Sequence, residues 1–243
     1  MIRRDLNSTQ YVDSSALTIK ICGLTREQDV EAVSAAEADQ AGFVFAPSRR
    51  RLSILQAGFL IRKLPDSIRP VGVFVDAEPS LILEAVEKTG IRIVQLHGKE
   101  PAVYIQILRM LLPSEIEIWK SYSFAVMTED VITEASSYTA GTEINDAWQP
   151  DAWLLDSKLG NQSGGTGKPF NWSEASKSLP AGRLILAGGI NVENVGEAIE
   201  LIRPDGVDCS SGVETDGVKD QQKIIDFCRY VRSIRSFRGG CRQ

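Results

Sequence analysis

Two side chains of this 243-residue sequence could exchange protons with a substrate, since each stands where a short apolar run stops. Cys22 ends the run TIKIC, and Asp156 ends the run AWLLD. A thiolate is a competent general base if nearby positive charge lowers its pKa, and a partly buried carboxylic acid can donate a proton near neutral pH. Alone, Cys22 would more often be packing material, and Asp156 as often a capping or ion-pairing group. Whether the two residues are catalytic therefore depends on whether the fold places them at the same site.

Glycine-rich stretches offer a second kind of chemistry, the binding of an anion. LAGGINVENV contains Gly188 and Gly189, and DCSSGVE contains Ser210 and Ser211. Glycine lets the backbone approach an anion closely, and N–H groups near a helix start bind phosphate. One such loop could be a tight turn only, but two favour a phosphate site. A third stretch, SGGTGKPFNW at 163–172, is typical of a flap over a ligand, with a functionless solvent loop as the alternative.

Two further features carry charge or a titratable ring. The segment PSRRRLS at 47–53 could hold a carboxylate, because arginine pairs with carboxylates through two parallel hydrogen bonds. A solvated basic loop is the commoner explanation of such a run. His97, in VQLHG, is the only histidine of the chain, and a structural role for it is at least as common as a catalytic one.

An eightfold rhythm predicts the elements that position these residues. Apolar, β-branched runs alternate with segments of helical spacing. The predicted strands are Thr18–Cys22, Gln40–Phe45, Arg69–Val75, Ile93–Leu96, Ile116–Lys120, Ala152–Asp156, Leu184–Ala187 and Gly206–Cys209. The predicted helices span 25–37, 53–63, 78–89, 100–112, 128–137, 171–178, 192–202 and 219–232. Thr25, Ser53 and Asn191 are the expected helix caps.

This alternation predicts an α/β protein with a single (β/α)8 TIM barrel and short terminal extensions. We expect an N-terminal extension at 1–16, the barrel at 17–235 and a tail at 236–243. An open doubly wound sheet is the alternative, but no G-x-G-x-x-G follows the first strand. Active sites of such barrels lie at the carboxyl ends of the strands, and phosphate sits after strands seven and eight. Cys22, Asp156, the two glycine loops and Asp208 of the eighth strand all belong to that end.

Composition narrows the class of protein. The net charge of −5 argues against a nucleic-acid partner, since such domains are usually basic. No apolar run approaches 18 residues, so no membrane span is expected, and the N-terminus lacks the apolar core of a secretory signal. The four cysteines form no CxxC pair, which favours reduced thiols and a cytoplasmic location over a zinc site or disulfides.

Several motifs together resemble one known family. KICGLT, GFVFAPSRR, VGVFV, VQLHG, LLD with GGTGKPFNW, LAGGINVENV and DCSSGVE before GVKD occur in its order, over residues 18–232. This set resembles the phosphoribosylanthranilate isomerases of tryptophan biosynthesis. The resemblance implies an Amadori rearrangement of the phosphosugar N-(5-phosphoribosyl)anthranilate to 1-(2-carboxyphenylamino)-1-deoxyribulose 5-phosphate, by proton transfer alone, with no cofactor and no metal.

The resemblance also assigns roles to residues. Asp156 matches the family's general acid, which opens the sugar ring, and Cys22 matches the general base, which removes the C2 proton. Arg50 best matches the arginine on the anthranilate side, although an ungapped count from Gly42 would choose Arg51. Asp208 matches an aspartate near the sugar, and the phosphate-loop positions are matched by Gly188, Gly189, Ser210 and Ser211. Gly23, lacking a side chain, would leave room for the substrate beside the sulfur.

Some departures and alternatives remain. FNW at 170–172 replaces the commoner F-D-W, the arginine loop is one residue short, and 1–16 and 138–150 are additional. The related histidine-pathway isomerase, or its dual-substrate version, would place an aspartate at position 22. A non-catalytic phosphosugar-binding barrel is a rival of another class. We expect a monomer or a homodimer.

Overall fold

Eight parallel strands form a closed barrel in the order of the sequence, each strand pairing with the next and β8 with β1. The computed structural model describes residues 17–123, 149–156, 176, 179–180 and 182–239. The strands are β1 Thr18–Cys22, β2 Gln40–Val44, β3 Arg69–Phe74, β4 Ile93–Leu96, β5 Glu117–Ser123, β6 Ala152–Asp156, β7 Leu184–Ala187 and β8 Gly206–Cys209. The predicted (β/α)8 barrel is thereby confirmed.

Helices connect the strands on the outside of the barrel. Those in the described residues are α1 Glu27–Ala35, α2 Ile54–Ile61, α3 Pro79–Thr89, α4 Ala102–Leu111, α5 Val195–Ile202 and α6 Gln221–Gly239. A 3-10 turn at Ser211–Val213 and a hairpin of β9 Glu214–Thr215 and β10 Val218–Lys219 stand between β8 and α6. No helix in these ranges is long and apolar enough to cross a membrane.

The predicted element boundaries hold to within a few residues. The largest difference among the strands is β5, which continues to Ser123 rather than ending at Lys120. Helix α6 runs to Gly239, four residues into the predicted tail. The helices predicted at 128–137 and 171–178, the insertion at 138–150 and the flap at 163–172 lie outside the described residues, apart from single positions. The division into extension, barrel and tail stays a prediction.

Ser53 caps α2 as expected, whereas the cap of α1 is Arg26 and the expectation of Thr25 is wrong, because the Asp29 carboxylate accepts from the Arg26 amide at 3.0 Å. Ser53 Oγ accepts a hydrogen bond from the Gln56 amide at 3.2 Å, and Gln56 Oε1 accepts one from the Ser53 amide at 2.9 Å, which is a complete capping box. The Asn191 side-chain oxygen accepts hydrogen bonds from the Glu193 and Asn194 amides, which are the capping contacts expected of it, and the regular helix α5 begins at Val195, three residues later than expected.

Strand alternation sorts the barrel residues into two buried layers. Side chains of the inner layer fill the barrel, and they are Val71, Ile93, Trp119, Ala152, Leu154, Ile185 and Ala187. Their sequence neighbours on the same strands, such as Phe74, Leu155 and Leu186, pack outward against the helices. Because successive side chains of a strand point to opposite faces, Lys20 and Cys22 on β1 share one face, as do Leu154 and Asp156 on β6.

A charged cluster closes the amino end of the barrel. The Glu117 carboxylate accepts hydrogen bonds from Arg69 at 2.7 Å, the Trp119 indole at 2.9 Å and Arg183 at 3.2 Å. Burial would raise the pKa of Glu117, but the Trp119 and Arg69 hydrogen bonds hold it below its usual value. Arg183 also lies 5.4 Å from the centre of the Trp119 ring. This end of the barrel is therefore a structural plug, opposite the end predicted to carry the chemistry.

Replacing Glu117 by glutamine should lower the free energy of unfolding by about 1–3 kcal/mol, because two guanidinium groups lose their charged acceptor. Urea denaturation at pH 7 measures this change. Glu84→Gln is the matched control: Glu84 pairs with Lys88 at 2.6 Å on the exposed face of α3, and its replacement should leave stability unchanged. Equal effects of the two substitutions would contradict the structural role of the plug.

Candidate active site

The thiol of Cys22 lies at the carboxyl end of β1, on the inward face, and the residue is only 8% exposed. Its partner across the ladder on β2 is Gly42. A Cβ atom added at Gly42 would stand 2.8 Å from the Cys22 sulfur, closer than real Cβ contacts allow. Glycine at position 42 therefore creates the space that the thiol occupies.

A buried ion pair lies directly below the thiol. Lys20 is fully buried, and its ammonium donates to Asp208 Oδ2 at 2.8 Å across the β1–β8 ladder. Burial would lower the pKa of Lys20, but the Asp208 carboxylate raises it above its usual value, so the ammonium stays charged. Asp208 Oδ1 is buried too, and among the described residues it has no hydrogen-bond partner.

The thiol is under opposing electrostatic influences. Burial raises the pKa of Cys22 and is the largest effect, and the Asp208 carboxylate acts in the same direction. The Lys20 ammonium opposes both, through its charge and through a hydrogen bond to the sulfur, and the charge of Lys219 adds to it. The net pKa is above that of a free thiol. These two lysines thus reduce the cost of ionising a buried sulfur.

The end of β1 is tied to the loop after β8. Ser210 Oγ donates to the carbonyl oxygen of Cys22 at 3.0 Å. Lys219, which is also buried, donates from Nζ to the Ser210 carbonyl at 2.8 Å and to Glu214 Oε1 at 2.8 Å. Burial lowers the pKa of Lys219 despite the opposing Glu214 carboxylate. The thiol strand and the predicted phosphate loop are therefore one connected unit.

Arg50 reaches this unit from the loop after β2. Its Nε and Nη2 donate to the two carboxylate oxygens of Glu214, at 2.7 and 2.9 Å. The stem of Arg50 passes over Gly23: a Cβ added there would stand 2.3 Å from Arg50 Cδ. The space beside Gly23 therefore holds the arginine, which differs from the expectation that it would hold substrate. Arg51 is exposed, and its backbone forms a bridge to Val44 and donates to the Ser48 carbonyl at 3.2 Å.

The loops after β7 and β8 bring their backbones together. Gly188 and Gly189 have φ of +79° and +66°, a region that L side chains rarely adopt. A Cβ at Gly212 would stand 2.0 Å from the Ile190 carbonyl oxygen, so glycine there allows the two loops to touch. Ser211 is exposed and Ser210 half-buried. Exposed glycine backbone and serine hydroxyls at this end of the barrel can bind an anion.

Asp156 stands at the end of β6, on the inward face, with His97 beside it. The distance between His97 Nε2 and Asp156 Oδ2 is 3.4 Å, and the other ring nitrogen of His97 lies 3.0 Å from the Gln95 side-chain nitrogen. The Asp156 side chain is 20% exposed and that of His97 is 34% exposed. A carboxyl group that is open to the barrel mouth and backed by an imidazole can exchange a proton with a ligand.

A second buried ion pair shapes the neighbouring loops. Lys120 donates to Glu100 at 2.6 Å and to the Gly98 carbonyl at 2.7 Å. Glu100 also accepts from the amides of Asp76, at 2.9 Å, and Gly98, at 3.1 Å. The loops after β3 and β4 are thus held to β5. His97 is the first residue of the loop after β4, and its amide donates to the Phe74 carbonyl at 2.8 Å.

The structure places the predicted site residues where the sequence analysis expected them, although the space beside Gly23 holds Arg50. All eight predicted site residues lie at the carboxyl end of the barrel or in the loops that follow it. They are Cys22, Arg50, Asp156, Gly188, Gly189, Asp208, Ser210 and Ser211. The sequence reasoning missed Lys20, Gly42, Glu214 and Lys219. Lys20 could have been found, since it stands two residues before Cys22 and strand alternation puts both on one face.

Comparisons with known proteins agree with this geometry. Residues 19–230 match the family model described as "PRAI: N-(5'phosphoribosyl)anthranilate (PRA) isomerase". The N-(5'-phosphoribosyl)anthranilate isomerase of Acetivibrio thermocellus is 42% identical over 220 residues, covering 88% of this chain and 95% of that protein. The crystal structure of phosphoribosyl anthranilate isomerase from Thermotoga maritima superimposes on this chain with a TM-score of 0.75 at 35% identity. The superposition covers 90% of this chain and 100% of the other.

One solved structure adds a ligand. It is a phosphoribosyl anthranilate isomerase in complex with reduced 1-(o-carboxyphenylamino)-1-deoxyribulose 5-phosphate. This chain resembles it with a TM-score of 0.71 at 32% identity, over 90% of this chain and 100% of the other.

The Glu214 cluster should make the protein acid-sensitive. Burial would raise the pKa of Glu214, but Arg50 and Lys219 lower it to about 2, whereas an unfolded glutamate titrates near its ordinary value of about 4.3. The resulting stabilisation is complete above the unfolded pKa and is lost as the pH falls through the folded pKa. Denaturation curves of wild type and Glu214→Gln should therefore differ most at pH 7 and converge toward pH 2. A difference that stays constant with pH would contradict the assignment.

Proposed function

The chain belongs to the N-(5'-phosphoribosyl)anthranilate isomerase family, and we propose that Cys22 is the general base and Asp156 the general acid of its reaction. The protein is an isomerase that converts N-(5-phosphoribosyl)anthranilate to 1-(2-carboxyphenylamino)-1-deoxyribulose 5-phosphate in tryptophan biosynthesis. The observation that supports the two roles best is their placement: each is the last inward residue of its strand, and both belong to the same end of one barrel.

Asp156 acts first in this proposal. Its carboxylic acid gives a proton to the furanose ring oxygen, the C1–O bond breaks, and the anthranilate nitrogen supplies the electron pair that forms a Schiff base. His97, 3.4 Å from the carboxyl oxygen, keeps a second titratable group beside the acid. The inward position of Asp156 gives a ligand in the barrel mouth access to it.

Cys22 acts in the second step. As a thiolate it removes the proton from C2 of the Schiff base, which yields an enolamine that tautomerises to the ketone. Lys20, with the hydrogen bond and charge it directs at the sulfur, favours the thiolate against the effect of burial. Gly42 keeps the space for the sulfur open.

The remaining residues bind the substrate in this proposal. Arg50 pairs with the anthranilate carboxylate, and its path over Gly23 favours it over the exposed Arg51. Asp208 Oδ1, a buried acceptor without a partner in the described part of the chain, accepts a hydrogen bond from a sugar hydroxyl. The phosphate rests on the two loops that contain Gly188, Gly189, Ser210 and Ser211.

Other expectations stay predictions. These are a metal-free and cofactor-free reaction, a monomer or homodimer, the absence of nucleic-acid and membrane partners, and a cytoplasmic location. Family membership makes a non-catalytic barrel the weaker alternative, and Cys22 at the end of β1 separates this chain from the histidine-pathway isomerase.

Cys22→Ser and Asp156→Asn should each reduce kcat by about 10²–10⁴-fold, the contribution typical of a positioned acid or base. The loss of substrate fluorescence with freshly made phosphoribosylanthranilate measures turnover. Cys228→Ser is the matched control for the thiol, because Cys228 is buried on α6, away from the barrel mouth. Full activity of either site variant would refute the role given to that residue.

Lys20→Met should shift the rising limb of the kcat/KM profile, where activity increases with pH as Cys22 loses its proton, to higher pH. The reason is that Lys20 lowers the pKa of Cys22, so its removal leaves burial and Asp208 to raise that pKa further. The profile should be recorded between pH 6 and pH 10 together with Lys88→Met, which removes an exposed lysine of α3 and should leave the profile in place. A lower kcat/KM without any shift of the limb would show that Lys20 acts on folding alone.

A further inference from the structure

We propose that Glu214 is a positioning residue for substrate recognition, which fixes the Arg50 guanidinium so that one edge stays available for the carboxylate of the substrate. This inference rests on the proposed role of Arg50 in binding the anthranilate carboxylate. It gives a function to a carboxylate at the barrel mouth that takes no part in either proton transfer.

The geometry of the pair supports this role. Glu214 holds Arg50 side-on, with Nε bonded to Oε1 at 2.7 Å and Nη2 to Oε2 at 2.9 Å. Guanidinium has a second flat edge, formed by Nη1 and Nη2, which matches a carboxylate in the same bidentate manner. Side-on pairing uses only one of the two edges, so it orients the plane of Arg50 and leaves the other edge for a ligand.

Glu214 is itself held rigidly. Its side chain is only 5% exposed, and its strand β9 pairs with β10, where Lys219 stands opposite Glu214 in the ladder. Lys219 Nζ donates to Glu214 Oε1 at 2.8 Å, and the same ammonium is anchored to the Ser210 carbonyl. The position of Arg50 is thus fixed, through Glu214 and Lys219, relative to the predicted phosphate loop and to the strand that carries the thiol.

The charges of the cluster leave it attractive to an anion. Glu214 also pairs with Arg49, so one carboxylate faces the three cations Arg49, Arg50 and Lys219. Three positive charges against one negative charge leave a local excess of positive charge beside the barrel mouth. An arginine oriented before binding loses less conformational entropy when the carboxylate arrives, which favours recognition by preorganisation.

A substrate pair tests this proposal directly. Wild type, Glu214→Gln and Arg50→Met should each be assayed with N-(5-phosphoribosyl)anthranilate and with N-(5-phosphoribosyl)aniline, which lacks only the carboxylate. Chromatography of the ketose product gives kcat and KM for both substrates. Glutamine keeps the shape of the side chain and removes the charge, and Glu84→Gln serves as the control at an exposed pair.

We expect Glu214→Gln to lower kcat/KM for the anthranilate substrate by about 10–100-fold, mainly through KM, because a charge-assisted contact loses its orientation. The same variant should change kcat/KM for the aniline substrate by less than about 3-fold, since no carboxylate is read there. The double variant Glu214→Gln/Arg50→Met should be no worse than Arg50→Met alone, because both residues act through one contact.

Equal losses on both substrates, or additive losses in the double variant, would overturn the proposal and give Glu214 a general structural role. Arg50→Met distinguishes this failure from failure of the proposed function: if it too loses equally on both substrates, the carboxylate role of Arg50 is itself wrong. If Glu214→Gln does not fold by circular dichroism, Glu214→Asp replaces it, since aspartate keeps the charge but withdraws it from Arg50. A selective loss on the anthranilate substrate is then expected, and an equal loss refutes the proposal.

Discussion

Closure of the parallel barrel is the constraint on which the rest of this structure depends. Because the strands run the same way and alternate inward and outward residues, the last inward side chain of every strand meets at one end. Cys22, Asp156 and Asp208 are far apart in the sequence, and the barrel brings them to the same end. The same closure gathers Glu117, Arg69 and Arg183 at the opposite end, where they seal the barrel.

Within this frame, the site depends on charge pairs that are buried or half-buried. Lys20–Asp208, Lys219–Glu214–Arg50 and Lys120–Glu100 each join neighbouring strands or loops at the carboxyl end. Such pairs add little net stability over an apolar replacement of both partners, because desolvation offsets their attraction, whereas removing one partner leaves a buried charge and is costly. Their value here is geometric: the first two fix Asp208 and Arg50 relative to the strand that carries the thiol, and the third fixes the loops after β3 and β4 relative to β5. The ion pairs at the active end of the barrel therefore serve mainly to fix the positions of side chains and loops.

Much of the fold was predictable because it depends on local patterns. The strands were predicted from apolar runs, and the start of α2 from Ser53 as its cap, while Gln56, which completes the capping box, was not predicted. The placement of Cys22 and Asp156 followed from strand ends and barrel topology. What the sequence could not provide was tertiary pairing. Nothing local indicates that Glu214 meets Arg50, 164 residues away, or that Gly42 faces the sulfur of Cys22.

The close approach of Gly42 to the Cys22 sulfur has a consequence for how this enzyme can change. The volume that the thiol occupies belongs to position 42 as much as to position 22, since a single added carbon there would stand 2.8 Å from the sulfur. The identity of the base is therefore encoded by two neighbouring strands together. An exchange of the thiol for a carboxylate, which has two terminal heavy atoms in place of one, would draw on this same small volume. A substitution at position 22, in evolution or in design, therefore depends on the absence of a side chain at position 42, and a larger residue at position 42 would restrict which bases fit at position 22.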